Sequence, residues 1–343
     1  MAGRNPFQAY LEGDRHEFLK TQAPNYLHFY YFLLAPFAML PATTANLAWG
    51  VANLAMLVFS CQALLRMFGR PVASDLPWLL LLVLSGVPGR NAIGNGQASI
   101  FIMAAFLAGL SSSSGACSLH YRGWRSVVAW MIYGLCYAKY SFLPAFAMFA
   151  LTSFGWRGLI TTLVSAAAGA LAMAALFRNP AVIVQPLQVS TQTMATSYGA
   201  GDLLSLINAS AGGLGSDSFR MLSLLCIGLS VAVIMMARDL SLERRLAVAT
   251  VSSLMFVTHL GYDYVLMTVL LGFAFSSSAT ALDRWMIGLA WFWIGYVYRL
   301  IWAMGISPPI LPTFLVNVGL LLVLLHPCWI RRGLATESHR LHA

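Results

Sequence analysis

Lys139 stands in Cys136-Tyr137-Ala138-Lys139-Tyr140-Ser141-Phe142-Leu143-Pro144, between two apolar runs. A charge at membrane depth is costly, so an ionisable residue there marks a functional site by default. A functional Lys139 needs an anion as partner, and Tyr140 offers a hydroxyl beside it. The competing reading is a side chain that snorkels to the interface. His259 and Asp263 are spaced i, i+4 and, with Tyr262 and Tyr264, interrupt another apolar run. On a helix the two would share a face. A His–carboxylate pair orients a proton-transfer group or binds hydroxyls; it also serves simply to hold two helices together. Arg299 and Arg90 are cations suited to a phosphate, or else anchors at the membrane interface. Asn95 and Gln97 offer amides to a hydroxyl-rich ligand, and a helix opening near Gln97 favours an anion. The plainer reading of this stretch is a polar turn with glycines at positive φ. Glu12 and Asp14 are carboxylates of the polar opening segment.

The elements that must position these residues are membrane helices. The chain has 343 residues, 59% hydrophobic and 9% charged, with a mean hydropathy of +0.74. Soluble domains carry roughly 25% charged residues, so this chain cannot cover a globular surface. Its long apolar runs suit helices of about 20 residues, and the alternating segments of a membrane barrel are absent. The expected fold is all-α and polytopic, one domain over 1–343. Candidate spans are 43–65, 76–88, 97–113, 126–138, 142–154, 159–177, 219–237, 246–262, 264–281, 285–303 and 310–326, about eleven in all. Several are too short to cross alone, and 76–113 and 126–154 read as hairpins of short helices or as broken helices. Residues 29–41, broken by Pro36 and Pro41, read as an interfacial or half-membrane helix after a polar outer segment. The loop 178–218, rich in Ser, Thr, Gly, Asn and Gln, is long enough to fold over a site. Residues 327–343 form a tail.

Charge sets the orientation. The net charge of +9 and pI of about 9.6 come mostly from arginines in short loops, a membrane-topology signal rather than a nucleic-acid one. One set of loops holds twelve basic residues, Arg66, Arg244, Arg245 and Arg284 among them, and the other holds eight. The first set and the C-terminus are placed in the cytoplasm, which makes this a multi-pass protein of the cell inner membrane. The polar features then gather outside: 5–10, 89–97, Lys139 with Tyr140, 178–218, 259–263, and Arg299 with 307–309. Five cysteines without CxxC spacing read as reduced packing residues. No cleavable signal peptide, repeat, Walker A, Rossmann, HExxH or GxSxG pattern occurs, and neither a metal nor another cofactor is expected.

The order of the short motifs is similar to glycosyltransferase family 87, polyprenol-phosphate-mannose-dependent mannosyltransferases of the C type. The motifs are Asn5-Pro6-Phe7-Gln8-Ala9-Tyr10, Asn25-Tyr26-Leu27, Leu34-Ala35-Pro36-Phe37, Gly94-Asn95-Gly96-Gln97, Ala138-Lys139-Tyr140 and His259-Leu260-Gly261-Tyr262-Asp263-Tyr264. The resemblance implies transfer of a sugar from a lipid-linked phosphosugar to an acceptor hydroxyl of a glycan or glycolipid at the outer face. Lys139 or Arg299 would meet the donor phosphate. It also implies a catalytic acidic residue ahead of the segment matching Asn5–Tyr10, after a first membrane helix that this chain does not contain. Asp14 or Glu12 would otherwise substitute. A transporter or flippase of a lipid-linked glycan is the competing class, and an inactive remnant that binds polyprenyl phosphate is a third. A transporter predicts internal repeats and broken helices; the repeats are lacking.

Overall fold

The computed structural model describes residues 5–13, 26–95, 97–114, 123–195, 201–306 and 309–341. Asp14, Gly96, Cys117, Ser307 and Pro308 lie outside them. The described residues are helical and contain no strand, as lipid requires of a chain that cannot leave backbone groups unpaired.

Four helices are long and apolar enough to cross a membrane: Ala42–Met67, Leu143–Phe177, Ser216–Met236 and Ile310–Cys328. Val72–Ser85 and Val87–Gly94, bent by 78°, make a fifth if counted as one span. Among the described residues four or five of the eleven expected spans are therefore shown by length and composition, with Leu143–Phe177 counted as one although it contains a kink. The other apolar runs form shorter helices, such as Ser99–Ser114, Trp124–Gly134, Leu242–Phe256 and Ala281–Phe292. At 1.5 Å per residue, 11 to 16 residues reach only about 17–24 Å, short of the roughly 30 Å hydrocarbon core.

The helix Leu143–Phe177 is itself broken at Gly155, which has φ 72° and ψ −173°, a conformation essentially reserved for glycine. The chain turns back there. The Tyr133 hydroxyl donates to the Phe146 carbonyl at 2.8 Å, and Tyr137 bonds Thr162 at 2.9 Å. A straight helix would hold residues 146 and 162 about 24 Å apart. Gly134 packs directly on the Thr162 backbone, where no side chain would fit.

The arginines assigned from sequence to the cytoplasmic loops also do structural work. Arg245 donates to the Thr152 carbonyl at 3.0 Å, at the end of the helix before Gly155. Arg284 donates to Ala274 and Ser276 at 3.0 and 3.2 Å. Both satisfy carbonyls that a helix C-terminus leaves open. Arg244 is buried and holds Asp283 through two bonds of 2.5 and 3.1 Å, while Asp283 closes a capping box with Thr280. This pair ties Leu242–Phe256 to Ala281–Phe292, and a longer contact to the Leu324 carbonyl brings in the last helix.

Two helices are interrupted near the polar features. The 246–262 run ends as a helix at Phe256, is non-helical through Leu260 with Val257 and Leu260 extended, and resumes as a 3₁₀ turn, Gly261–Met267, that leads into Thr268–Phe275. The 285–303 run contains a π-helical turn, Trp293–Val297. Irregular backbone at membrane depth is tolerated where protein buries it, and Thr258 and His259 are indeed buried. The connection 178–218 is not a bare loop. It carries the 3₁₀ turn Pro180–Ile183 and the helices Gln185–Ala195 and Leu203–Ser210.

Candidate functional site

Lys139 follows a 3₁₀ turn, Leu135–Ala138, that ends the helix Trp124–Gly134. Its side chain is 1% exposed and its ammonium lies 2.5 Å from Asp263 Oδ2. Asp263, fully buried, collects three more donors: Ser99 Oγ at 2.5 Å, the Leu260 amide at 3.1 Å and His259 Nδ1 at 3.3 Å. A buried carboxylate is tolerable only when so surrounded. Ser99 opens the helix Ser99–Ser114, so three separate segments converge on one carboxylate.

His259 reaches Asp263 from non-helical backbone rather than from the shared helix face that the spacing suggests. Its Nε2 lies 3.3 Å from Ser253 Oγ, and its ring stacks on Phe142 with centroids 4.4 Å apart. The Lys139 ammonium also sits 5.2 Å from the Tyr262 ring, within cation–π range. Lys139, Asp263 and His259 thus form a closed polar knot with each other as partners.

Around the knot the N-terminal segments and the connection after Phe177 interlock. The Tyr26 hydroxyl donates to Gln97 Oε1 at 2.8 Å, and the Leu27 amide donates to the Ala138 carbonyl at 2.6 Å. Asn5 caps the short helix Pro6–Leu11 and donates to Gln185 at 2.5 Å. Phe7 is buried against His28, Tyr31 and Val189. The remaining sequence-predicted residues lie apart from the knot's contacts. Arg90, Asn95 and Arg299 are exposed. Glu12 is exposed and accepts from Gln8 at 2.8 Å.

A largely apolar cavity of 510 Å³ adjoins the knot. Tyr140 and Thr258, the direct chain neighbours of Lys139 and His259, form part of its wall. Leu187, Leu204, Phe219 and Ile227 supply apolar lining, and Arg220, paired with Asp217 at 3.4 Å, is the cation among its described residues. The Tyr140 hydroxyl is buried beside Ser190 without a hydrogen bond of good geometry.

Behind the cavity wall lies Asp202, fully buried at the start of Leu203–Ser210. It accepts from the Ser205 amide and hydroxyl at 2.7 and 2.8 Å and from Thr258 at 3.2 Å. Burial pushes its carboxyl above the usual range, and the bonds from Ser205 oppose the shift. Asn317 donates to the neighbouring Gly201 carbonyl at 3.3 Å. The folded connection is therefore pinned to the bundle immediately beside His259. Sequence reasoning did not single out Asp202, Ser99 or Thr258, whose residue types are ordinary in caps and turns. Arg220 was visible as a basic residue of the outer set but was assigned no role.

Fold and site together define a helical membrane protein whose buried charges brace the wall of a largely apolar cavity. The sequence model of glycosyltransferase family 87 matches residues 26–260, more than half the chain, and the chain belongs to that family of glycosyltransferases. The match includes Lys139, Asp202 and His259; Asn5–Tyr10 and Asp263 lie outside it. Comparison with curated proteins and with solved structures gave no match.

Proposed function

We propose that the protein transfers a hexose, mannose by the family resemblance, from a polyprenyl-phosphate sugar to an acceptor hydroxyl of a glycan or glycolipid. The reaction takes place at the extracytoplasmic face of the inner membrane. The observation that carries this reading is the wall shared between the charged knot and the apolar cavity through Tyr140 and Thr258. An isoprenoid suits the apolar lining, and Arg220 places a cation on that lining for the phosphate. The Lys139–Asp263–His259 knot holds the broken segment 257–260 in the shape that presents Thr258 to the cavity.

In the transfer, the acceptor oxygen bonds to the sugar C1 while the C1–O bond to phosphate breaks. The electron pair leaves with the phosphate, whose negative charge Arg220 offsets. The acceptor proton goes to a carboxylate, assigned here to the opening segment, where Glu12 is exposed. Interrupted helices also occur in transporters, but membership in a glycosyltransferase family favours the enzyme.

The test is sugar transfer from a labelled polyprenyl-phosphate mannose in proteoliposomes. Arg220→Gln raises the donor KM by about 10- to 100-fold, the worth of a charge-assisted hydrogen bond. Loss of turnover in Glu12→Gln or Asp14→Asn assigns the base. Full turnover in both removes the base from this segment.

A further inference from the structure

A second cavity, of 330 Å³, shares no lining residue with the first. It runs beside the helix Ala281–Phe292, from Arg284 and Phe275 at one end to Leu82 and Tyr296 at the other. Twelve residues separate Arg284 from Tyr296, about 18 Å of helix, which is close to one leaflet of a roughly 30 Å core. Phe292 is 57% exposed and Leu82 37%, so the groove opens to the side, toward lipid.

Its polar groups are few and placed for a ligand. Arg284 uses Nε and Nη2 on the Ala274 and Ser276 carbonyls, and its Nη1 has no partner among the described residues. Trp291 is 3% exposed, and its Nε1 hydrogen finds no acceptor among the described residues. Its ring packs against Gly86, where any side chain would overlap it, and lines the groove. A π-helical turn, a feature that recurs at functional sites, closes the far end, where the Tyr296 hydroxyl meets Ser85 at 2.6 Å.

We propose that this groove binds one anionic glycerophospholipid, with its phosphate on Arg284 and an acyl chain along the helix toward Tyr296. Basic pockets between membrane helices are suited to such head groups. The site is independent of the sugar-donor reading.

The experiment measures lipid binding to the purified, delipidated protein by native mass spectrometry, together with its thermal midpoint. Phosphatidylglycerol, phosphatidylcholine and inorganic phosphate are compared. The expected result is a preference of about fivefold for phosphatidylglycerol, a rise in midpoint with that lipid, and no effect of inorganic phosphate. Arg284→Gln abolishes the preference but also removes a helix cap. Gly288→Leu is therefore the second variant: a Cβ there meets no atom within 4 Å, so the side chain starts in open space on the groove lining, and it too abolishes the preference. Equal binding of the two lipids overturns the proposal. So does a preference that survives in either variant, and a rise in midpoint reproduced by inorganic phosphate alone shows an anion site in its place.

Discussion

Lys139→Met tests whether Lys139 is a buried structural charge or an exposed one. The ammonium is 1% exposed and lies 2.5 Å from a carboxylate with no exposure at all. Removing one partner of a buried pair costs about 3–5 kcal/mol, because the other charge is left uncompensated. Ser99, Leu260 and His259 still hold Asp263, so the loss falls near the lower end, about 3 kcal/mol. A lysine snorkelling to the interface would cost no more than about 1 kcal/mol. The assay is denaturant unfolding in micelles for Lys139→Met, Asp263→Asn and the double variant. The double variant removes both charges, so it loses less than the sum of the singles, with a coupling of about 2 kcal/mol. A single-variant loss under about 1 kcal/mol, or additivity within about 0.5 kcal/mol, would mean that Lys139 is not a buried partner of Asp263.

Other perturbations probe the frame. Arg244→Met leaves Asp283 buried without its cation and lowers stability by about 3–5 kcal/mol in the same unfolding assay. Gly155→Ala forces a side chain onto φ 72°, costs about 1–3 kcal/mol, and shows as a lower thermal midpoint. Asp202→Ala removes the cap of Leu203–Ser210 and costs about 1–2 kcal/mol. Because burial raises the Asp202 carboxyl, its contribution to stability is full below the ordinary Asp range and fades as pH rises through the raised value. Asp202→Asn flattens that acid-side slope when unfolding is followed against pH.

The membrane class and most helical runs were legible because lipid imposes a composition that a single sequence displays. The helices Ala42–Met67, Ser216–Met236 and Ile310–Cys328 fall close to their apolar runs. Where runs were short, hydropathy could not separate a crossing helix from half of a hairpin, so only four or five of the expected spans are shown by length and composition. The turn at Gly155 fell between two predicted spans, but one glycine among 28 does not announce a positive φ. The break at 257–260 was hidden because Val257, Thr258 and Leu260 suit a helix as well as an extended strand. His259 and Asp263 stood out by their cost in an apolar setting. Ser99, which completes the Asp263 shell from 164 residues away, had no local signal. The Arg244–Asp283 pair was legible only as charge. Nothing in the linear pattern distinguishes a loop arginine from one folded inward onto an aspartate 39 residues later.

On the proposed function, the 510 Å³ cavity beside the charged knot holds the lipid-linked sugar donor. The most direct measurement is equilibrium binding of a labelled polyprenyl-phosphate mannose to the purified protein, comparing wild type with Ser223→Trp, which fills the cavity. Saturable binding in the wild type, weakened at least tenfold in the filled variant, is the predicted result. Equal affinity in both proteins would contradict it.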